Sequence, residues 1–225
     1  MSSPINVAHF TRVAGQLGTN PAGVYEDSHG VRFYVKNLES PMHARNEWLA
    51  AQLYKLTGAP TFQYYLSTDA CQVITQWLNL DKKSIAHFNE NERLQAQRWL
   101  AVHAWTANWD AVGYIGDNQG VYQNSVLTLD VGGALAYRAH GDPKGKAFCH
   151  CVEEINSLRS MTDNPYAKRL FGDMSPNAVR ESISRIALLS ERDINTTILD
   201  NGGSQKLADK MLYRREDLIQ RSLVL

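Results

Sequence analysis

The sequence predicts an α+β protein: a small antiparallel β-meander with one helix in its first third, then a mainly helical remainder. Three observations predict it. Before residue 40, short runs of β-branched and aromatic residues alternate with glycine-rich turns. A single capped helical pattern follows them. Beyond about residue 90, apolar residues recur at helical spacing in four segments. With 225 residues and 44% hydrophobic content, the chain can bury a core as one compact domain or two small packed lobes.

The segment VAGQLGTNPAGVYEDSHGVRFYVK, residues 13–36, reads as strand, glycine-rich turn, strand, tight turn at DSHG, and strand. Gly15, Gly18 and Gly23 allow the backbone of the first hairpin to approach a bulky anion, and successive exposed amides there can cradle phosphate. A mobile hairpin without a ligand has the same composition. Lys36 ends the otherwise apolar strand FYVK on the face it shares with Tyr34. There it either snorkels to water or meets a buried anion. The next helix supplies an anion. Ser40 is its expected N-cap, Pro41 its first residue and Gly58 its stop. Leu49, Leu53 and Leu56 form its main apolar stripe. Glu47 lies on another face beside Ala44, Ala50 and Ala51, whose small side chains let that face sit close to a sheet. QVITQWL, residues 72–78, makes another strand, and NLDKKSIAHFNENE links it to the helical remainder.

Residues 91–107 are apolar around much of the circumference from Leu94 onward, as expected of a helix at the centre of a lobe. The helix delivers NWD. From there Asp110, Asp117, Asn118 and Asp130 fall in a segment that otherwise alternates like buried strand, and Asp130 ends the run VLTLD, residues 126–130. Carboxylates at strand ends and loops often hold a cation. After Asp130, Gly132 and Gly133 permit a tight backbone path, and Arg138, Lys144 and Lys146 form a local basic cluster. That cluster is either a solvated loop or a segment that places an acceptor or neutralises phosphate charge. Three helices are expected over residues 147–158, 177–189 and 205–219, with NPYAKRLFGDMSP joining the first two. RRED, residues 214–217, reads as a salt-bridged helix face.

Composition excludes several classes. Lys plus Arg and Asp plus Glu number 23 each, so no overall basic field marks a nucleic-acid binder. Cys71, Cys149 and Cys151 form an odd set that favours a reducing compartment over a disulfide framework. In CHC the ligands are too crowded and too few for a zinc site. No window spans a bilayer and the start lacks a cleaved-signal pattern, so a cytoplasmic protein is expected, or one exported without such a signal. The scattered histidines come with no serine elbow or HExxH, which gives a hydrolase or zinc peptidase little support. His103 is expected to be a packed core histidine.

The order of glycine-rich hairpin, strand lysine, helix glutamate, strand with linker, long helix, acidic loop and strand ending in Asp-x-Gly resembles the protein-kinase-like fold. The likeness runs from about residue 13 to 135 and points to minimal, atypical kinases, similar to the HipA-like and phosphatidylinositol-kinase-like groups and to small bacterial effector kinases. It implies an N-lobe over residues 1–78 and a helical C-lobe over residues 79–225. It implies ATP and Mg2+ as cofactors and a hydroxyl-bearing acceptor, a protein first of all. Gly15, Gly18, Thr19, Asn20 and Gly23 would cover the phosphates; Lys36 would hold them and pair with Glu47; Gln76 and Trp77, in the hinge, would lie by adenine. Asp110 would be the catalytic aspartate, with Asn118 and Asp130 as metal ligands. The pattern departs from the family in four places: no HRD, a longer Asp110-to-Asn118 spacing, DVG in place of DFG, and no APE. Asp117 therefore competes with Asp110 and Asn118 for a role. AMP transfer, a lipid or small-molecule acceptor, and a non-catalytic pseudokinase are the alternatives on the same fold.

Overall fold

A computed structural model describes residues 3–18 and 20–225. Five strands form one antiparallel sheet: β1 (Thr11–Ala14), β2 (Ala22–Glu26), β3 (Arg32–Asn37), β4 (Tyr64–Leu66) and β5 (Gln72–Gln76), in the order β1-β2-β3-β5-β4. Between β3 and β4 runs α1 (Pro41–Thr57), with the ends expected of it. The Ser40 side chain accepts from the His43 amide, and Gly58 takes the left-handed conformation at φ 77°. Ala44, Glu47, Ala50 and Ala51 are all buried along with Leu49 and Leu53, so α1 is enclosed on more than its leucine stripe.

The sheet has two differently packed faces. Phe33, Val35 and Ile74 build a small outer cluster, covered by Phe10 and Tyr65, with Phe10 stacked on Phe33 at 5.5 Å. The opposite face meets α1 and the main core, which continues into the helices.

A hairpin of β6 (Gln119–Tyr122) and β7 (Ser125–Thr128) follows α2 (Glu90–Gln97) and α3 (Leu100–Trp105). Its two turn residues, Gln123 and Asn124, both have positive φ, as a tight two-residue hairpin loop requires. The remaining helices are α4 (Glu154–Ser160), α5 (Pro165–Phe171), α6 (Pro176–Ala187), α7 (Glu191–Asp200) and α8 (Gln205–Ser222). The α+β architecture agrees with the sequence reading, and several boundaries do not. The helix expected over 91–107 is interrupted at Arg98 and Trp99. The segment expected to join two helices contains α5, started by the Asn164 cap and Pro165. The helix expected from residue 147 begins only at Glu154. Arg214, expected on a salt-bridged surface, is wholly buried: it donates to the carbonyls of Ala104, Trp105 and Cys149 and to Glu154. The Trp105 indole in turn donates to the Met211 carbonyl at 2.9 Å, which joins α3 to α8.

Candidate active site

Strand register brings Lys36 to the inner face. It pairs with Ala22 of β2 and Val73 of β5, while Tyr34 pairs with Val24 and Thr75, so these six residues share one side of the sheet. Lys36 Nζ lies 2.9 Å from Glu47 Oε1 and 2.9 Å from Asp130 Oδ2. Glu47 is 2% exposed and also accepts from the Tyr64 hydroxyl at 3.3 Å. Burial opposes the Lys36 charge, yet Asp130 and Glu47 together outweigh it and hold the amine well above its usual pKa. Burial pushes Glu47 up against the pull of Lys36. Asp130 is also penalised by burial, but Lys36 and the Gly132 amide bring it below the usual carboxylate range. A side chain at Gly132 would crowd this packing, since a Cβ there would lie 2.9 Å from Glu47 Oε2 and 3.1 Å from Asp130 Oδ1.

The loop after α3 forms the facing wall. Asn108 accepts from the Asp110 amide at 3.2 Å and donates to the Tyr54 hydroxyl at 3.0 Å. Asn118 Nδ2 donates to the Asp110 carbonyl at 2.7 Å and to Asp110 Oδ2 at 2.9 Å. Burial, with the nearby Asp130 charge, raises Asp110 to about 6. Such a carboxyl is poised to exchange a proton near neutral pH. Asp117 is exposed and its carboxylate folds back over Gly113. His103, behind this loop, is the packed core histidine expected: its Nδ1 is 2.7 Å from the Tyr54 hydroxyl, and burial lowers it to about 3.

A hollow of about 360 Å³ lies between the walls, and among its lining are Gly18, Asn20, Tyr34, Lys36, Asp110, Asp117, Asn118 and Asp130. A smaller one of about 50 Å³ shares Asn20, Asp110 and Asp130 with it and is also lined by Glu47 and Gly132. Tyr34 ties the glycine-rich loop to the cleft, since its hydroxyl bonds both the amide and the carbonyl of Leu17. The structure thus gathers Gly18, Asn20, Lys36, Glu47, Asp110, Asn118 and Asp130. Gly15 sits in open loop. Thr19 lies outside the described residues.

Gly23, Gln76 and Trp77 are not among the residues that line either hollow. Gly23 is inside β2, paired with Val35 on the outer face, and a Cβ there would meet Arg12 at 2.7 Å. Its absent side chain accommodates Arg12. Gln76 lines a separate hollow with Gln52, Lys55 and Tyr122. Trp77 pairs its amide with the Arg32 carbonyl and its indole with Asn79. Sequence reasoning missed Tyr64 and Asn108. Tyr64 falls in a short strand not read from FQYYL, and the first residue of NWD was given no role.

Among the described residues no three acidic, histidine or cysteine side chains converge as a preformed cation cage. The donors still fit magnesium. Asn118 spends its amide nitrogen on Asp110, which leaves its oxygen for another partner, and the Asp130 carboxylate is 39% exposed. One carboxylate and one amide oxygen, completed by phosphate and water, suit an ion that keeps part of its hydration shell.

No protein-family model matches the chain, and no curated protein matches it in sequence. Solved structures do. The Helicobacter pylori proinflammatory kinase CtkA superimposes with a TM-score of 0.56 at 12% identity, over 99% of each chain. The Rio2 kinase of Chaetomium thermophilum, solved as an ADP/Mg2+–phosphoaspartate complex, gives 0.53 at 9% identity over 97% of this chain and 72% of its own. The chain therefore has the protein-kinase-like fold. Among its described residues no helix is long and apolar enough to cross a membrane.

Proposed function

We propose that this protein is an ATP- and Mg2+-dependent phosphotransferase that acts on a hydroxyl of a protein acceptor. One observation carries the proposal. Lys36 Nζ stands 2.9 Å from carboxylates contributed by α1 and by a loop 94 positions further on, beside a hollow that Asp110 and Asn118 also line. A surface ion pair needs no such convergence, and two carboxylates on one amine, with the Asp110 carboxyl lining the same hollow, leave room for added cation charge. In this reading Lys36 binds the phosphates, Glu47 orients Lys36, and Asp130 and Asn118 hold Mg2+, which neutralises charge on the transferring group. Asp110 accepts the acceptor's hydroxyl proton. Catalysis is then positioning and electrostatic stabilisation, with little covalent work for the protein. The coextensive match to a proinflammatory kinase supports an effector role for this one.

Intact-mass analysis after incubation with ATP, Mg2+ and candidate acceptor proteins tests the proposal. Addition of phosphate mass to the acceptor is expected. Addition of AMP would replace phosphoryl transfer with adenylylation. No added mass, with no ATP consumed, would make the protein a binding module.

A further inference from the structure

Lys144, which the sequence places in a basic surface cluster, is in fact 4% exposed. Its Nζ donates to the carbonyls of Ala107 at 2.8 Å, Gly133 at 2.7 Å and Leu135 at 3.0 Å. An ammonium has three protons, and all three are used here. Ala107 immediately precedes the Asn108-Trp109-Asp110 loop, and Gly133 and Leu135 follow Asp130. One amine therefore joins the start of the loop that carries Asp110 to the end of the loop that carries Asp130. Ala107 and Leu135 are both non-glycine residues in the left-handed region, at φ 52° and 56°. Each such residue costs about 1 kcal/mol or more, and the cost persists only where the surroundings over-determine the backbone. Both strained residues turn a carbonyl to the same nitrogen. The Leu135 amide closes the joint from the other side by donating to the Thr106 carbonyl at 2.7 Å.

The amine also lies 5.0 Å from the centre of the Trp109 ring, next to Asp110. Among the described residues no carboxylate is within ion-pair distance of it. Glu154 of α4 is nearby but is engaged by Arg214 of α8 and by the Trp109 indole. Burial pushes the amine down to about 7; Glu154 raises it, while Arg214 and Arg138 lower it. A neutral amine has two protons and a lone pair, and the lone pair would face one of the three carbonyls. Three carbonyl acceptors match the three protons of an ammonium and oppose the downward push of burial.

We propose that Lys144 is a positioning residue: a buried ammonium that fixes the Asp110 loop against the Asp130 loop so that proton acceptor and metal ligand face a common point. This rests on the phosphotransferase reading for its catalytic consequence, and on geometry alone for the joint itself. Hydrogen exchange and steady-state kinetics on Lys144→Met separate the two. Exchange in peptides covering residues 106–118 and 130–137 should quicken by about tenfold or more, the equivalent of one charge-assisted hydrogen bond, with α6 and α8 unchanged. Among folded molecules kcat should fall about 30-fold or more, with KM for ATP near the wild-type value. Unchanged exchange in both loops, or kcat within a few-fold of wild type, would overturn the proposal. Exchange that quickens everywhere would make Lys144 a general stabiliser and overturn it too. If Lys144→Met does not fold, Lys144→Gln, which retains two donors, takes its place. Failure of both to fold would assign the amine to folding alone. A wild type that consumes no ATP would sink the phosphotransferase reading, while the exchange result would still decide the joint.

Discussion

Lys36 and Lys144 are both buried, and they are satisfied by opposite chemistry. Lys36 meets two carboxylates and is held as a strongly basic amine; Lys144 meets three main-chain carbonyls and is pushed down to about 7. The difference separates a group that can serve a ligand from one that cannot. Asp130 is partly exposed, and under the proposed function it would trade Lys36 for a metal ion, which would free an ammonium proton for phosphate. The carbonyls around Lys144 have no such alternative, so its charge is committed to holding backbone.

The sharpest way to break this comparison is to remove Lys36. Lys36→Met should cut turnover about 100- to 1,000-fold. It should also cost about 3–5 kcal/mol in urea unfolding, because Glu47 is then buried with only Tyr64 as partner. Adding Glu47→Leu should restore most of that stability and none of the turnover. If the double variant regained activity, Lys36 would serve only to neutralise Glu47 and would not bind phosphate.

Asp110→Asn has a smaller effect on the cleft and sharpens the comparison with the loop wall. Its kcat should fall about 100-fold or more while nucleotide affinity stays close to wild type. In the wild type, under the proposed function, kcat should rise as pH increases through about 6, as Asp110 loses its proton. Stability runs the other way. The folded carboxyl holds its proton more tightly than its reference value of 3.8, so its contribution to stability falls as pH rises between about 4 and 6. Asp110→Asn should therefore melt higher at pH 7, by about 1 kcal/mol once partial exposure is allowed for. A variant that melts lower would show that the carboxylate, and not its proton, holds the loop.

Tyr64→Phe is the mildest probe. Removing one hydrogen bond to Glu47 should cost about 0.5–1.5 kcal/mol in the same unfolding measurement and leave turnover within a few-fold. A large loss of turnover would mean that Tyr64, more than Lys36, sets the position of Glu47.

The two lysines also show what could be read from the sequence. Lys36 was legible because strand alternation fixes its face and a capped helix places Glu47 nearby; Ser40, Pro41 and Gly58 gave that helix its ends. Asp130 was legible as the acid that ends a strand. Lys144 and Arg214 were not, because their partners are mostly main-chain carbonyls, which have no identity in sequence. The same limit explains Gly23: its glycine character serves Arg12, and composition cannot distinguish a cation neighbour from an anion. Elements were missed where the apolar signal is thin. The α7 helix buries only Ile194 and Ile198, β4 has three residues, and α5 has seven. The helix through residues 91–107 reads as continuous because its apolar pattern carries across the break at Trp99.

Calorimetric titration of the protein with ATP, in Mg2+ and again in excess chelator, addresses the cleft most directly when it is repeated on Asp130→Ala. One saturable site is expected in Mg2+, weakened about tenfold or more by chelation and by Asp130→Ala alike. Absence of binding, or binding indifferent to both metal and Asp130, would contradict a shared triphosphate site between Lys36 and the acidic loops.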